Sequence, residues 1–321
     1  MTPSERDRPD AARDAVTITV AHFASAMARG VTESDLADDI YAQLHCRLPV
    51  ESWARDARGD ARLDPRDFPR LLALANHGVG SWQAGWTVRA MRDGGGVVAE
   101  SMGVRFWVDP GSFRAARTPV EPGDSVMVRI PREYGQLLPG FFMAIGDADD
   151  EDGAPCVRLY WNVSARGAIP LLKLVTTELN AAGIGFRFKV PRDPRDFGRA
   201  DAAVLYLRRV DFDKTMPRVA RITAEVRSYL SPETSFLAHS CEPGVCLAED
   251  PSDGASFGQH RARLLAQAML SPETSALPTV AARAHAVHAQ LRAMGLDPFQ
   301  LYRNAGSTAT YRWVRVEPSD A

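Results

Sequence analysis

The spacing of apolar residues changes its period near Gly94, and that change constrains the fold more than any other feature of the chain. Over residues 16–92 apolar side chains recur at helical intervals, as in Asp35-Leu36-Ala37-Asp38-Asp39-Ile40-Tyr41 and again over 68–74, with breaks at Pro49, Pro65 and Gly78. Beyond Gly94, residues 97–108, 124–130, 140–146 and 157–163 read as strands, bounded by Pro-Gly or acidic turns such as 147–153. A helix follows over 168–182 and stops at Gly183. Strands at 186–190 and 202–208 and a helix over 216–230 come next.

This succession predicts an α+β protein: a mixed, mainly antiparallel sheet flanked by helices, with a helical N-terminal part over 16–92 and an α+β core over 93–321. A chain of 321 residues is long enough to bury such a core as one large domain. Residues 1–15, Pro-rich and dense in charge, are expected to be a disordered N-terminus. Late in the chain, 231–258 is rich in Ser, Pro, Gly and Cys and has no clear period, which marks a functional segment more often than an idle one. Helical patterns return at 259–270 and 280–294, and a strand-like run at 311–316. Leu-Ser-Pro-Glu-Thr-Ser occurs twice, from Leu230 and from Leu270; the match stops at six residues and reads as a reused helix-start signal.

Charge and motif content narrow the function. Lys plus Arg total 38 against 40 acidic residues, a net charge of −2, so no global basic field exists to hold nucleic acid or an anionic membrane. No apolar stretch has the length of a membrane span, and the first 13 residues lack the apolar core of a secretory signal, so a cytoplasmic protein is expected. Four cysteines in this length make no disulfide framework. His239, Cys241 and Cys246, with His260, are too loosely spaced for a metal knuckle, and no metal is expected. Phosphate-loop, nucleophile-elbow, zincin and dinucleotide fingerprints are absent.

Lysine is nearly absent as well. Of the 38 basic residues only Lys173, Lys189 and Lys214 are lysine and 35 are arginine, so each lysine is a candidate for chemistry that arginine cannot do, because a guanidinium stays protonated. Lys189 lies in Gly185-Phe186-Arg187-Phe188-Lys189-Val190, where alternation puts the two phenylalanines on one face and Arg187 with Lys189 on the other. Arg192, Arg195, Arg199, Arg208 and Arg209 follow. Stacked cations lower a neighbouring lysine below its usual value of about 10.4 and bind a dianion such as a phosphate monoester. A solvated basic face is the competing reading of the same spacing.

The ordered set Val128-Arg129-Ile130-Pro131-Arg132-Glu133-Tyr134, Pro139-Gly140-Phe141-Phe142, Arg158-Leu159-Tyr160-Trp161-Asn162, Phe188-Lys189-Val190, Arg199 to Tyr206, Leu247-Ala248-Glu249-Asp250-Pro251 and Ser256-Phe257-Gly258-Gln259-His260-Arg261 resembles the HopA-type effector family over about residues 35–310. That family includes type III effectors and stand-alone proteins of thioamitide and class V lanthipeptide pathways. The resemblance implies a cytoplasmic lyase that removes phosphate from phosphoserine or phosphothreonine in a precursor peptide, after a separate aminoglycoside-phosphotransferase-like kinase has phosphorylated it. Phe188-Lys189-Val190 is also similar to the unit that carries the base of secreted phosphothreonine lyases. Their acid, a His, is replaced here by Tyr160, so Tyr160 or His260 is the expected proton donor, unless none is needed.

β-Elimination needs a base for the α-proton, charge stabilisation at the adjacent carbonyl and a seat for departing phosphate. Lys189 is the expected base, and Arg158 and Arg199 the first phosphate ligands. Arg129, Arg132, Arg208 and Arg261 are further candidates. Asp201 is placed to orient an arginine or to act as a structural cap, and Tyr206 to bond phosphate or fill the strand face. No cofactor is implied. The competing functions are a non-catalytic scaffold for a peptide or kinase, and a type III effector, whose Ser-rich export segment the short, charged 1–16 does not resemble.

Overall fold

Short polar side chains start most of the helices. Asp14 accepts from the Val16 amide to open α1 (Ala15–Ala28), and Thr32 does the same for Asp35 in α2 (Glu33–Ile40). Ser164 caps α4 (Ala165–Ala181), Ser256 caps α6 (Phe257–Leu270), and Thr279 caps α8 (Val280–Ala293). Between them lie α3 (Phe68–Ala75), α5 (Phe212–Glu225) and α7 (Pro272–Ser275). The computed structural model describes residues 14–48, 63–101, 103–134, 139–148, 154–251 and 253–316. The N-terminus expected to be disordered therefore lies outside the described residues as far as 13, and most of the acidic 147–153 turn does too. Ser271 in the second Leu-Ser-Pro-Glu-Thr-Ser caps α7, whereas the first copy runs as coil, so only one of the two is a helix start.

The strands form two sheets, antiparallel in every described pairing. The first contains β1 (Ser81–Met91), β2 (Val97–Ser101), β3 (Val104–Val108), β4 (Phe113–Ala115) and β5 (Ser125–Ile130), in the order β3-β2-β1-β5-β4. The second, central sheet contains β6 (Glu133–Tyr134), β7 (Phe141–Ile145), β8 (Cys156–Trp161), β9 (Phe186–Pro191), β10 (Ala203–Arg208), β11 (His239–Glu242) and β12 (Val245–Glu249), in the order β11-β12-β8-β10-β9-β7-β6.

Four local expectations need correcting. Residues 81–91 are a strand rather than the end of the helical stretch. Register shifts at Gln83/Trp86 and Val88/Ala90 break the two-residue alternation that would have announced it. The run 97–108 is a hairpin reversing at Gly103, whose φ of 78° is a left-handed turn position. The 231–258 segment holds the β11–β12 hairpin; β12 enters the sheet beside β8 and is buried on both faces, so it carries no alternation to read. Residues 311–316 form no strand. Tyr311 instead packs edge-on against Phe212 at 4.9 Å and donates to Glu249.

Alternation along the central sheet then divides the molecule. Val157, Leu159, Trp161, Phe186, Phe188, Leu205 and Leu207 point into a core closed by α3, α4 and α5. Each such side chain, fully buried, contributes about 1.5–3 kcal/mol. Tyr160, Val204, Cys246 and Ala248 point the other way, into a second core with α1, α2, α6 and α8. The result is helix, sheet, helix in three layers. The first sheet closes a small cluster of its own from Trp86, Val88, Val97, Ala99, Val108, Val126, Val128 and Ile130. On the central sheet the second helical layer buries the β12–β8 half, while Arg187 and Lys189 on β9 and Phe141, Met143 and Ile145 on β7 are only half-buried.

Candidate functional site

Antiparallel register lines up the polar residues of that partly covered face in two rows. Val204 on β10 pairs with Tyr160 on one side and Lys189 on the other, and Lys189 pairs with Met143. One row along, Tyr206 pairs with Arg158 and Arg187. Tyr160 and Lys189 thus flank β10, about 10 Å apart at the backbone, and Tyr206 lies between two guanidiniums, 5.1 Å from that of Arg158 and 5.5 Å from that of Arg187.

Lys189 is the least committed cation of the group. Its ammonium lies 4.3 Å from the centre of the Phe141 ring, and among the described residues no hydrogen bond or ion pair holds it. The other lysines differ: Lys173 is exposed on α4, and Lys214 is paired with Asp211 at 2.6 Å. Arg158, buried on β8, donates through Nε to Asp250 at 2.9 Å and through Nη2 to the Ala255 carbonyl at 3.0 Å. The end of the 231–258 segment therefore borders the basic face at Arg158.

At the loop end of the same face is a buried polar cluster. α2 runs into one turn of π-helix, Tyr41–His45, which delivers Tyr41, His45 and the following Cys46 to one place. Arg199 grips Asp201 with two bonds, Nε to Oδ1 at 2.5 Å and Nη2 to Oδ2 at 2.8 Å, and also donates to the Tyr41 hydroxyl and to Cys46 Sγ. His45 completes the cluster, sharing a 2.7 Å hydrogen bond with Ser235 through Nδ1 and approaching Asp201 to 3.5 Å through Nε2. Burial alone would raise the Asp201 carboxyl, yet Arg199 and His45 hold it well below the usual carboxylate range. Burial pushes the Cys46 thiol up to about 12.

Tyr160 lies under the rings of His45 and Phe257, at 5.4 and 6.5 Å, and its buried hydroxyl has no hydrogen-bond partner among the described residues. Burial drives its proton affinity well up, so this group is a hydrogen-bond donor and a poor source of a proton. His260, on the first turn of α6, shares a 2.5 Å hydrogen bond with Arg261 and lies 3.7 Å from Asp253; burial and the Arg261 charge lower it below the ordinary histidine value.

The arginines proposed from the sequence divide by place. Arg158 belongs to the face. Arg199 borders it but is spent on Asp201, Tyr41 and Cys46. Arg208, on the same face of β10 one step beyond Tyr206, is held by Asp211 at 2.7 Å. Arg261, fully buried, is taken up by the carbonyls of Leu301 and Arg303 and by Asn304, and burial lowers it to about 10. Arg129 lies on the first sheet, donating to the Val79 carbonyl, and Arg132 binds the carbonyls of Asn76, Gly78 and Ala73. Those two clasp the turn between α3 and β1. Among the described residues no three His, Cys, Asp or Glu side chains converge as metal ligands, and no helix is long and apolar enough to cross a membrane.

Sequence reasoning named Arg187 on the strand but gave it no role, and it missed Tyr41 and His45. Alternation with Lys189 was the signal for Arg187. For the other two there was no signal, since Tyr41 meets Arg199 across 158 residues of chain. A cavity of about 360 Å³ lined by Arg209, Phe212, Asp213 and residues 306–311 lies at the start of α5, on the other side of the central sheet.

Fold and face together define an α+β protein with an antiparallel central sheet that presents a basic strand surface around Lys189. The sequence model of the HopA1 effector protein family matches residues 133–303, more than half of the chain, and the chain belongs to that family. Its fold is similar to that of the effector protein from Pseudomonas syringae pv. tomato strain DC3000, with 16% identity, a TM-score of 0.52, and coverage of 91% of this chain and 98% of that one. It is similar also to the effector protein from Pseudomonas syringae pv. syringae strain 61, at 14% identity, a TM-score of 0.50, and coverage of 93% and 100%. At these identities the likeness is one of fold. No curated protein matches the chain.

Proposed function

We propose that this chain is a carbon–oxygen lyase that eliminates phosphate from phosphoserine or phosphothreonine in a ribosomal precursor peptide, leaving dehydroalanine or dehydrobutyrine, as a step of lanthipeptide or thioamitide formation. Its substrate would come from a separate aminoglycoside-phosphotransferase-like kinase, and the work would be done in the cytoplasm. The observation that carries the reading is the uncommitted ammonium of Lys189 beside the Arg158–Tyr206–Arg187 row. In this reaction the Lys189 amine takes the α-proton, the Cα–H electrons form the Cα=Cβ bond, and the Cβ–O bond breaks with its electrons leaving on phosphate. Arg187 and Arg158 supply positive charge where that dianion departs. Tyr160 serves as a hydrogen-bond donor if the rings above it move; His260, tied to Arg261 and Asp253, is the weaker candidate for a proton donor.

The test is mass spectrometry of a phosphorylated precursor peptide incubated with wild type and with Lys189→Arg. Wild type gives a product one water lighter than the unphosphorylated peptide, which a phosphatase does not make. Lys189→Arg keeps the charge and binds the phosphopeptide, and its elimination falls by about 10²–10⁴-fold, the usual worth of a general base. A variant as fast as wild type removes Lys189 from the chemistry. A wild type that binds the phosphopeptide and never converts it, with the kinase present, makes the protein a scaffold.

A further inference from the structure

The first sheet has a second face, opposite its small core, that nothing described covers. Trp107 on β3 is 75% exposed, with the Arg92 guanidinium stacked 3.8 Å from its ring centre. Across the sheet Trp82 on β1 carries Arg114 of β4 in the same way at 4.0 Å. Between the two stacks Arg89 and Arg105 both hold Glu100, at 2.9 and 2.5 Å. Register puts all of these on one side: Trp107 is opposite Val98, Arg105 opposite Glu100, Trp82 opposite Arg129, and Arg114 opposite Met127. Five guanidiniums thus face one carboxylate, while Asp93, Asp109, Glu121 and Asp124 lie in the turns at the sheet's ends. Trp and Arg are both enriched where proteins bind partners.

None of this is needed for elimination at Lys189. The sheet spans 81–130, outside the 133–303 matched by the family, and carries no residue of the basic strand face.

We propose that this face docks an extended, acidic polypeptide segment, whose Asp or Glu side chains pair with the guanidiniums and whose apolar side chains lie on Trp82 and Trp107. Glu100 decides between a peptide and a nucleic acid. Fixed at the centre by two arginines, it interrupts the basic track that a phosphate backbone requires. A peptide with spaced carboxylates passes either side of it. From β3 to β4 the face is four strand gaps wide, about 19 Å, which an extended segment of roughly six residues crosses. The inference does not use the lyase reading and survives its failure.

The test titrates the full chain, by fluorescence anisotropy, with a labelled peptide of about ten residues bearing Glu and Leu, with its Gln counterpart, and with a short oligothymidylate, at low and high salt. The Glu peptide is expected to bind at least about tenfold tighter than the Gln peptide. Arg92→Glu/Arg114→Glu, a double change at exposed positions outside the Glu100 ion pairs, removes that margin, and Trp107→Ala weakens binding to both peptides. Equal binding of the two peptides, or unchanged binding to the double variant, overturns the proposal. So does oligothymidylate binding that exceeds peptide binding and disappears in the variant, which makes the partner a nucleic acid. A concentration-dependent dimer in sedimentation that the variant abolishes overturns it too, because the face then belongs to a second copy.

Discussion

Asp201 shows how much a single side chain organises here. Its side chain, only 10% exposed, is held by two bonds from Arg199 and approached by His45, and its carboxyl is depressed well below the ordinary value despite the cost of desolvation. A group depressed in the folded state contributes stability that is fully present above its unfolded value, about 3.9, and is lost as pH falls through the folded one. Asp201→Asn therefore should lower the unfolding free energy by about 2 kcal/mol at neutral pH, because it takes the charged partner from a guanidinium that is mostly out of solvent. The gap between variant and wild type should close only below about pH 4. Urea denaturation across a pH series measures this; a neutral-pH loss near zero would mean the cluster is solvated. Lysine scarcity and two-residue alternation, both local cues, made Lys189 and Arg187 readable from the sequence, and Arg158 came with the family-like Arg158-Leu159-Tyr160 motif. Tyr41 and His45 reach the Arg199–Asp201 pair only through tertiary packing, so no spacing announces them, whereas Asp201, two residues from Arg199, is a local partner that the sequence offers. Likewise, the sequence could not tell an arginine free for phosphate from one, like Arg261, used to clasp a distant turn.

The element that brings the cluster together is the π-helical turn at the end of α2, pressed under the start of α6. Gly258, in the first turn of α6, lies against the His45 ring, and a Cβ at that position overlaps it. Glycine inside a helix normally costs about 1 kcal/mol relative to alanine, so on propensity Gly258→Ala would stabilise α6. Overpacking reverses the sign. We expect Gly258→Ala to destabilise by about 1–3 kcal/mol, and the added change His45→Ala to relieve part of that loss, giving a favourable coupling above about 0.5 kcal/mol in a double-mutant cycle. Independent, additive effects would show that the ring moves aside without cost. At this scale the sequence was most legible where one face is buried and the pattern unbroken, as in β5 and most of β9. It was least legible where bulges interrupt β1, or where β12 is buried on both faces and reads as a plain apolar run.

At the scale of the whole molecule the two sheets are unequal partners. The central sheet is packed on both faces by helices and holds Trp161, Phe186 and Phe188 fully buried. Among the described residues the first sheet buries one face only, against its own strands, and its ties to the rest include the Val79 and Gly80 amides donating to Asp147, both at 2.7 Å, and the Arg132 clasp on the 73–78 carbonyls. Less apolar area is removed from water per strand, and less free energy therefore resists its opening. Amides of Val88, Val126 and Val128 should thus exchange hydrogen through an opening at least about 2 kcal/mol below the one that exposes Leu159, Leu205 and Phe188. Native-state hydrogen exchange over a denaturant series reads the two openings separately, as distinct isotherms with different slopes. Merged isotherms would mean that the Asp147 and Arg132 ties couple both sheets into one cooperative unit. The separated result also bears on docking: a face carried on a unit that opens alone can be held shut by its partner, so a bound acidic peptide should raise protection in β1–β5 and leave β8 and β10 unchanged.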